Sequence, residues 1–144
     1  MGGGNYTSVY MIGSSKGGTA AIYYGLEFNA TAVYAGACQY YIGDYLSRKE
    51  FAPIVEGMMG ILPNQNVLSE LNAIMPNQLK CHSGASTIIH LLYSKDEHTY
   101  QEHTLGLLTD LQKYDIPYTE RIEHFTEHGD VGKFFSEHLK KVFK

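Results

Sequence analysis

A short apolar run that ends in a cluster of glycines is the feature that most constrains how this 144-residue chain can fold. Residues 8–12 read Ser-Val-Tyr-Met-Ile, which is typical of a buried strand, and residues 13–18 follow as Gly-Ser-Ser-Lys-Gly-Gly. Residues 19–26 are rich in alanine and tyrosine and contain no proline, which predicts a helix with a small-residue face that can lie close to a sheet. These residues therefore predict a strand, a tight turn and a helix in succession.

The alternation of strand and helix continues along the chain. Residues 31–35 and 87–93 are short apolar runs that predict two further strands, and the more polar residues 118–122 predict a fourth strand near an edge. Apolar residues at helical spacing predict helices at 100–114 and 131–143. Alternating strands and helices imply an α/β fold with three layers around a mostly parallel sheet.

The segment of residues 45–85 interrupts this alternation. It contains three prolines and two patches with methionine, and it includes a predicted helix near residues 67–74. We interpret the segment as a helical insertion or lid, because a structureless loop of that length is uncommon in a compact domain. The chain length suits a single domain that comprises residues 1–144.

Composition argues against several classes of function. The formal net charge is −4 and no basic patch is visible, so we expect no binding to nucleic acid. No apolar run reaches the roughly 18 residues that a membrane-spanning helix needs, and the first residues lack the pattern of a signal peptide. We therefore predict a cytoplasmic protein without a membrane span.

Ser15 lies in the predicted turn, two residues after Gly13 and two before Gly17. In a strained turn between a strand and a helix, a serine side chain points above the sheet edge and is accessible as a nucleophile. The backbone N–H of Lys16, at the start of the helix, can help to stabilise an oxyanion. The same residues allow two other interpretations: Ser15 as a helix cap, or a phosphate-binding loop with Lys16 and Thr19 as contacts.

Two polar segments at the ends of predicted strands supply the other groups of a catalytic triad. Asp96 follows the third strand and His128 follows the fourth. In this arrangement His128 takes the proton of Ser15, and Asp96 fixes the imidazole tautomer and stabilises the imidazolium. Glu97 is a rival for the acid and His124 is a rival for the base.

The segment Gly13-Ser14-Ser15-Lys16-Gly17 resembles the G-x-S-x-G motif of the α/β-hydrolase superfamily, whose acid and histidine follow the serine in the same chain order. The resemblance extends from Val9 to the C-terminus. Within the superfamily, the sequence around Ser15 and residues 39–45 is similar to bacterial esterase-type domains of glycan and accessory secretion systems. It implies a carboxylesterase, an O-acyl deacetylase or an acyltransferase with Ser15, Asp96 and His128 as its triad. It also implies that no cofactor is needed. The alternative is a non-catalytic domain of the same fold that serves in assembly or glycan binding.

The segment that begins with Gln39, Tyr40 and Tyr41 follows the second strand, on the sheet edge predicted to carry Ser15. We predict that these three residues bind the substrate, a small acyl ester or an acylated carbohydrate, although the tyrosines can equally pack beneath the lid. We predict no metal site, because His124 and His128 lack the glutamate position of a zinc-binding helix.

Members of the superfamily have several strands before the nucleophile, and an early loop supplies a second oxyanion N–H. Here the predicted nucleophile is already residue 15. We therefore expect that a homo-oligomeric partner or a missing N-terminal portion completes the sheet, since an exposed parallel strand invites pairing. We expect weak or no activity from this chain in isolation.

Overall fold

A computed structural model describes residues 6–144, so residues 1–5 of the predicted domain lie outside the described part. The elements in chain order are β1 (Tyr10–Ser14), α1 (Lys16–Glu27), β2 (Ala32–Gly36), α2 (Ile42–Leu46), a 3₁₀ turn (Lys49–Phe51), α3 (Ala52–Met59), α4 (Gln65–Cys81), β3 (Ile88–Ser94), a π-helical turn (Tyr100–Thr104), α5 (Leu105–Lys113), β4 (Tyr118–Glu123), a second 3₁₀ turn (His128–Asp130) and α6 (Val131–Val142).

The four strands form one parallel sheet in the order β1-β2-β3-β4, which confirms the predicted α/β class. Parallel neighbours require crossover connections, and each connection here contains at least one helix. Because all four strands run in the same direction, their C-terminal ends lie along one edge of the sheet. The residues that follow the strands therefore meet at that edge.

Helices cover both faces of the sheet, as the three-layer prediction requires. One core lies between the sheet and helices α1, α4 and α5, and its most buried members include Ile22, Leu79 and Leu111, each fully inaccessible to solvent. A second core on the opposite face joins Leu92 of β3 to Val131 and Phe135 of α6. Burying one such side chain contributes about 1.5–3 kcal/mol, so these two cores hold the layers together.

The segment of residues 45–85 is mostly helical, and the helix predicted near residues 67–74 is part of α4. α4 is a wall of the main core, because Met75 and Leu79 are almost completely buried there. α2 and α3 pack around Leu46 and Val55 in a smaller cluster beside α4. Among the described residues, no helix combines the length and the apolar character that crossing a bilayer requires.

The two edge strands differ in character. β4 has mainly exposed residues, as the polar sequence predicts. β1 pairs only with β2 among the described residues, and its outer region exposes two large apolar side chains, Tyr10 and Ile12, at 46% and 47%. Exposed apolar side chains on one face of β1 therefore lie beside its free edge.

The turn between β1 and α1 is tight on one side only. A Cβ added to Gly13 would lie 2.2 Å from the carbonyl oxygen of Gly17, whereas a Cβ added to Gly17 would meet no atom within 4 Å. A Cβ at Gly18 would lie 2.9 Å from that of Cys38. Close packing of strand and helix therefore requires glycine at positions 13 and 18, whereas position 17 has space for a side chain.

We predict that Gly13→Ala lowers the free energy of unfolding by about 1–3 kcal/mol, because overpacking forces β1 and α1 apart. Gly17→Ala is the matched control, and it should be neutral or stabilising by up to about 1 kcal/mol, because alanine favours helices. Urea unfolding of both variants measures the difference. Equal destabilisation by the two substitutions would contradict this account of the turn.

Candidate active site

Ser15 joins β1 to α1 with a backbone conformation that is unusual for a residue with a side chain. Its φ is 52° and its ψ is −124°. The conformation is held by hydrogen bonds: its N–H donates to the Gly36 carbonyl at the end of β2, at 2.7 Å, and its own carbonyl accepts from Gly18 and Thr19. Non-glycine residues at positive φ cost of order 1–3 kcal/mol and occur at functional sites, where the surrounding structure enforces them.

The Ser15 side chain contacts a histidine and a glutamine. Ser15 Oγ lies 2.8 Å from His128 Nε2, and the Gln39 side-chain amide donates to Ser15 Oγ at 3.1 Å. Ser15 occupies the N-cap position of α1, but its side chain makes no capping hydrogen bond to the helix. The hydroxyl is instead within reach of a base that can remove its proton.

His128 connects Ser15 to a buried carboxylate. His128 Nδ1 lies 3.1 Å from Glu97 Oε1, and the Glu97 side chain is completely buried. The Thr99 hydroxyl donates to the other oxygen of Glu97. When Glu97 accepts a hydrogen bond from the Nδ1–H of His128, Nε2 carries no proton and can accept that of Ser15, which is the tautomer that a triad needs.

Asp96 does not occupy the position that the sequence analysis gave it. Its side chain is 54% exposed, and its Oδ2 lies 3.4 Å from Nδ1 of the still more exposed His124. Glu97 takes the place beside His128. The Asp96 N–H donates to the buried Ser94 hydroxyl at 3.1 Å, and the turn directs the adjacent side chains of Asp96 and Glu97 to opposite environments.

Ser94 fixes the two loops that carry the acid and the base. Its completely buried hydroxyl donates to the Phe125 carbonyl at 2.6 Å and accepts the N–H groups of Asp96 and Phe125, each at 3.1 Å. One side chain thus ties the end of β3 to the loop that precedes His128. The sequence analysis did not single out Ser94, since its only signal is a serine at the end of an apolar run.

A second histidine shares the Glu97 carboxylate. His98 Nε2 lies 3.1 Å from Glu97 Oε1, and His98 Nδ1 lies 3.1 Å from Glu102 Oε2. Within residues 6–144, one group of three side chains of metal-binding type has its ligand atoms within 4.8 Å of one another, and it comprises Glu97, His98 and His128. His98 and His128 each lie 3.1 Å from the same oxygen of Glu97, so contacts with this carboxylate already account for the grouping.

The three residues predicted to bind substrate have different positions. Gln39 is buried and its side chain contacts Ser15. Its backbone carbonyl also accepts a hydrogen bond from the Thr19 hydroxyl at 2.6 Å. Tyr40 is completely buried in the core, where its hydroxyl donates to Asp110 at 2.6 Å. Burial, with the Asp110 carboxylate, raises the pKa of Tyr40. Tyr40 therefore belongs to the core and not to a substrate pocket, as the packing alternative predicts.

Tyr41 is also held in place by the protein. Its ring lies 5.0 Å from that of Tyr40, measured between centroids, and its N–H donates to His103 Nδ1 at 3.2 Å. His103 is almost completely buried, which lowers its pKa and favours the neutral form that can accept this bond. The sequence analysis did not anticipate that His103 supports the segment after β2.

A pocket of about 510 Å³ opens beside Ser15. Lys16 and Gln39 line it at the end nearest the serine. Its remaining walls are mainly aliphatic and aromatic side chains from α1, α2, α3 and α4, and they include Tyr45. A pocket of this size falls in the range of small-molecule sites.

Lys16 is the first residue of α1 and therefore presents one of the N–H groups that have no acceptor within the helix. The positive end of the helix dipole lies at the same place. Its position next to Ser15 is the one in which a backbone N–H can approach an oxyanion formed at that serine.

Comparison with solved structures finds similar chains in bacterial proteins. The capsule O-acetyltransferase of Neisseria meningitidis serogroup A matches with a TM-score of 0.77 and 21% identity over 92% of this chain and 54% of that one. Fluorophosphonate-binding serine hydrolase F of Staphylococcus aureus matches with a TM-score of 0.67 and 13% identity over 92% and 51%. The glycosylation-associated Gap123 complex of Streptococcus agalactiae matches with a TM-score of 0.71 and 20% identity over 92% and 28%.

No protein-family model matches the chain, and no curated protein sequence matches it significantly. The chain spans about half the length of the first of these structures. The similar chains include an O-acetyltransferase, serine hydrolases and esterases. With its parallel sheet and the turn at Ser15, the chain therefore has an α/β-hydrolase-like fold that corresponds to about half of such an enzyme.

Proposed function

We propose that the protein is a serine hydrolase or acyltransferase that acts on acyl esters through Ser15, His128 and Glu97. The observation that carries the proposal is the continuous series of contacts from Ser15 Oγ to His128 Nε2, at 2.8 Å, and from His128 Nδ1 to Glu97 Oε1, at 3.1 Å. A non-catalytic domain has no need of this spacing, which favours an enzyme over the assembly or glycan-binding alternative.

The first half-reaction forms an acyl-enzyme. Ser15 Oγ attacks the carbonyl carbon of the ester while His128 Nε2 takes the hydroxyl proton. Glu97 stabilises the imidazolium that results, and the Lys16 N–H stabilises the negative charge on the former carbonyl oxygen. The intermediate then expels the alcohol, which receives its proton from His128, and the acyl group remains bonded to Ser15.

The second half-reaction releases the acyl group. His128 takes a proton from water or from an acceptor hydroxyl, whose oxygen attacks the acyl carbonyl, and the proton returns to Ser15 when the bond to Oγ breaks. Water gives hydrolysis, and a carbohydrate hydroxyl gives O-acyl transfer. The similarity to a capsule O-acetyltransferase supports a carbohydrate as the donor or acceptor of the acyl group.

The free edge of β1 is part of the same proposal. Another strand, from a preceding portion of the protein or from a second copy, pairs with β1 and covers Tyr10 and Ile12. The exposure of these side chains and the partial coverage of the similar enzymes support this. The additional portion would also supply the second oxyanion N–H.

We predict that a fluorophosphonate probe labels the protein at Ser15, and that Ser15→Ala abolishes labelling because no nucleophile remains. His128→Ala should reduce ester turnover by at least about 10³-fold, since the base is lost. His124→Ala is the matched control and should stay within about twofold, because His124 is exposed and contacts Asp96 instead of Ser15. Equal loss in the two histidine variants would contradict the assignment of the base.

The identity of the acid gives a separate prediction. Glu97→Gln should lower kcat by about 10³–10⁴-fold, because the amide no longer enforces the tautomer of His128 or stabilises its charge. Asp96→Asn should change kcat by no more than about twofold, as expected of an exposed side chain. Steady-state kinetics with p-nitrophenyl acetate compare the two variants. A larger effect at Asp96 would restore the assignment made from the sequence alone.

We also predict that this chain alone turns over p-nitrophenyl acetate much more slowly than a longer form with a preceding portion or than an assembled oligomer. Completion of the oxyanion site is the physical reason, and one such donor accounts for about 10²–10³-fold in kcat. Turnover is measured across protein concentrations, together with size by light scattering. Equal, rapid and Ser15-dependent turnover by the monomeric chain and by the longer form would refute this prediction.

A further inference from the structure

We infer that the pocket beside Ser15 binds the acyl group of the substrate, and that this group is an apolar chain considerably longer than acetyl. The inference rests on the proposed function of Ser15 as the nucleophile and adds the class of acyl group to it. The pocket has a volume of about 510 Å³ and is lined by residues from four helices.

The pocket reaches the immediate neighbours of Ser15, although neither Ser15 nor His128 lines it. Gln39 lines it and donates to Ser15 Oγ at 3.1 Å. Lys16, the residue after Ser15, also lines it. From there the pocket follows α1, because Thr19 and Tyr23 also line it. Tyr23 lies eight positions after Ser15 along α1, which corresponds to a path of about 12 Å. An acyl group attached to Ser15 can therefore extend along α1 well beyond two carbons.

The chemistry of the walls favours a hydrocarbon. Leu46, Met58 and Met75 are representative of the aliphatic lining, and Tyr45 and Phe51 add aromatic rings. No carboxylate lines the pocket, and Lys16, its single charged lining residue, lies at the serine end. The hydroxyl of Thr19 already donates to the Gln39 carbonyl. The hydroxyls of Tyr23, Tyr24 and Tyr45 are further hydrogen-bond partners, but the lining is mainly apolar, so burial of a whole sugar would leave hydroxyls unpaired, which is costly.

The pocket rim exposes apolar surface that a bound chain would cover. Tyr24, Ile54 and Met58 are 50%, 49% and 56% exposed, although all three line the pocket. Burial of one methylene group is worth about a fourfold change in an equilibrium constant. Each added pair of carbons should therefore strengthen binding until the chain reaches the end of the pocket.

The test is a series of p-nitrophenyl esters from acetate through butyrate and hexanoate to octanoate, assayed with the full chain and with its longer or oligomeric form. We expect kcat/KM to rise at least tenfold from acetate to octanoate, in a manner that depends on Ser15. Met58→Asp should reduce the ratio of kcat/KM for octanoate to that for acetate at least tenfold, since it places a charge in the pocket. Ile61→Asp is the matched control, because Ile61 is equally exposed at 51% but lies outside the lining.

A binding measurement separates this inference from the proposed function. Octanoate should bind the Ser15→Ala variant more tightly than acetate by calorimetry, and Met58→Asp should weaken that binding. Ser15-dependent turnover that is flat or falls with chain length would overturn the acyl pocket and leave the hydrolase intact. Absence of labelling and turnover in every form, with octanoate still bound, would overturn the proposed function and leave the pocket as a binding site for an apolar chain. Failure of octanoate to bind would overturn the inference whatever the activity.

Discussion

The backbone of Ser15 is the constraint on which the rest of the site depends. A residue at positive φ reverses the chain between β1 and α1 within a single position, and the bond from its N–H to Gly36 ties that reversal to the neighbouring strand. The absence of a Cβ at Gly13 allows the helix to begin so close to the strand. Because these contacts involve the main chain, they fix the direction of the Ser15 Cα–Cβ bond, and the contacts with His128 and Gln39 then orient the hydroxyl.

The parallel sheet brings those partners to Ser15 because its strands end at one edge. β3 ends at Ser94 and β4 ends at Glu123, so the turns after both strands begin at the same sheet edge as Ser15. The Ser94 hydroxyl then joins the two turns, and it aligns the buried Glu97 with His128. Burial matters here because water cannot compete for the carboxylate, and hydrogen bonds to charged groups are stronger when they are shielded.

Periodicity and turn chemistry were sufficient to predict the order of strands and helices, the polar edge at β4 and the turn at Ser15. They could not decide between Asp96 and Glu97, because both residues carry a carboxylate and only the direction of each side chain in the turn distinguishes them. Burial of Tyr40 and approach of Gln39 to the nucleophile likewise depend on how helices pack over the segment after β2. Ser94 carried no distinctive pattern, since its importance arises from the carbonyl and the N–H of Phe125, which the fold brings to its hydroxyl.

The register of β3 and β4 also sets the distance between the acid and the base of the site. Tyr93 lies opposite Ile122, and Ser94 lies opposite Glu123. A slip of this ladder by two residues would keep every side chain on its own face, yet it would move the end of β4 by about 6.6 Å along β3. Since a displacement of that size breaks contacts of about 3 Å, a correctly layered but mispaired sheet would lack the Glu97–His128 contact. Activity therefore reports strand alignment more sensitively than secondary-structure content does.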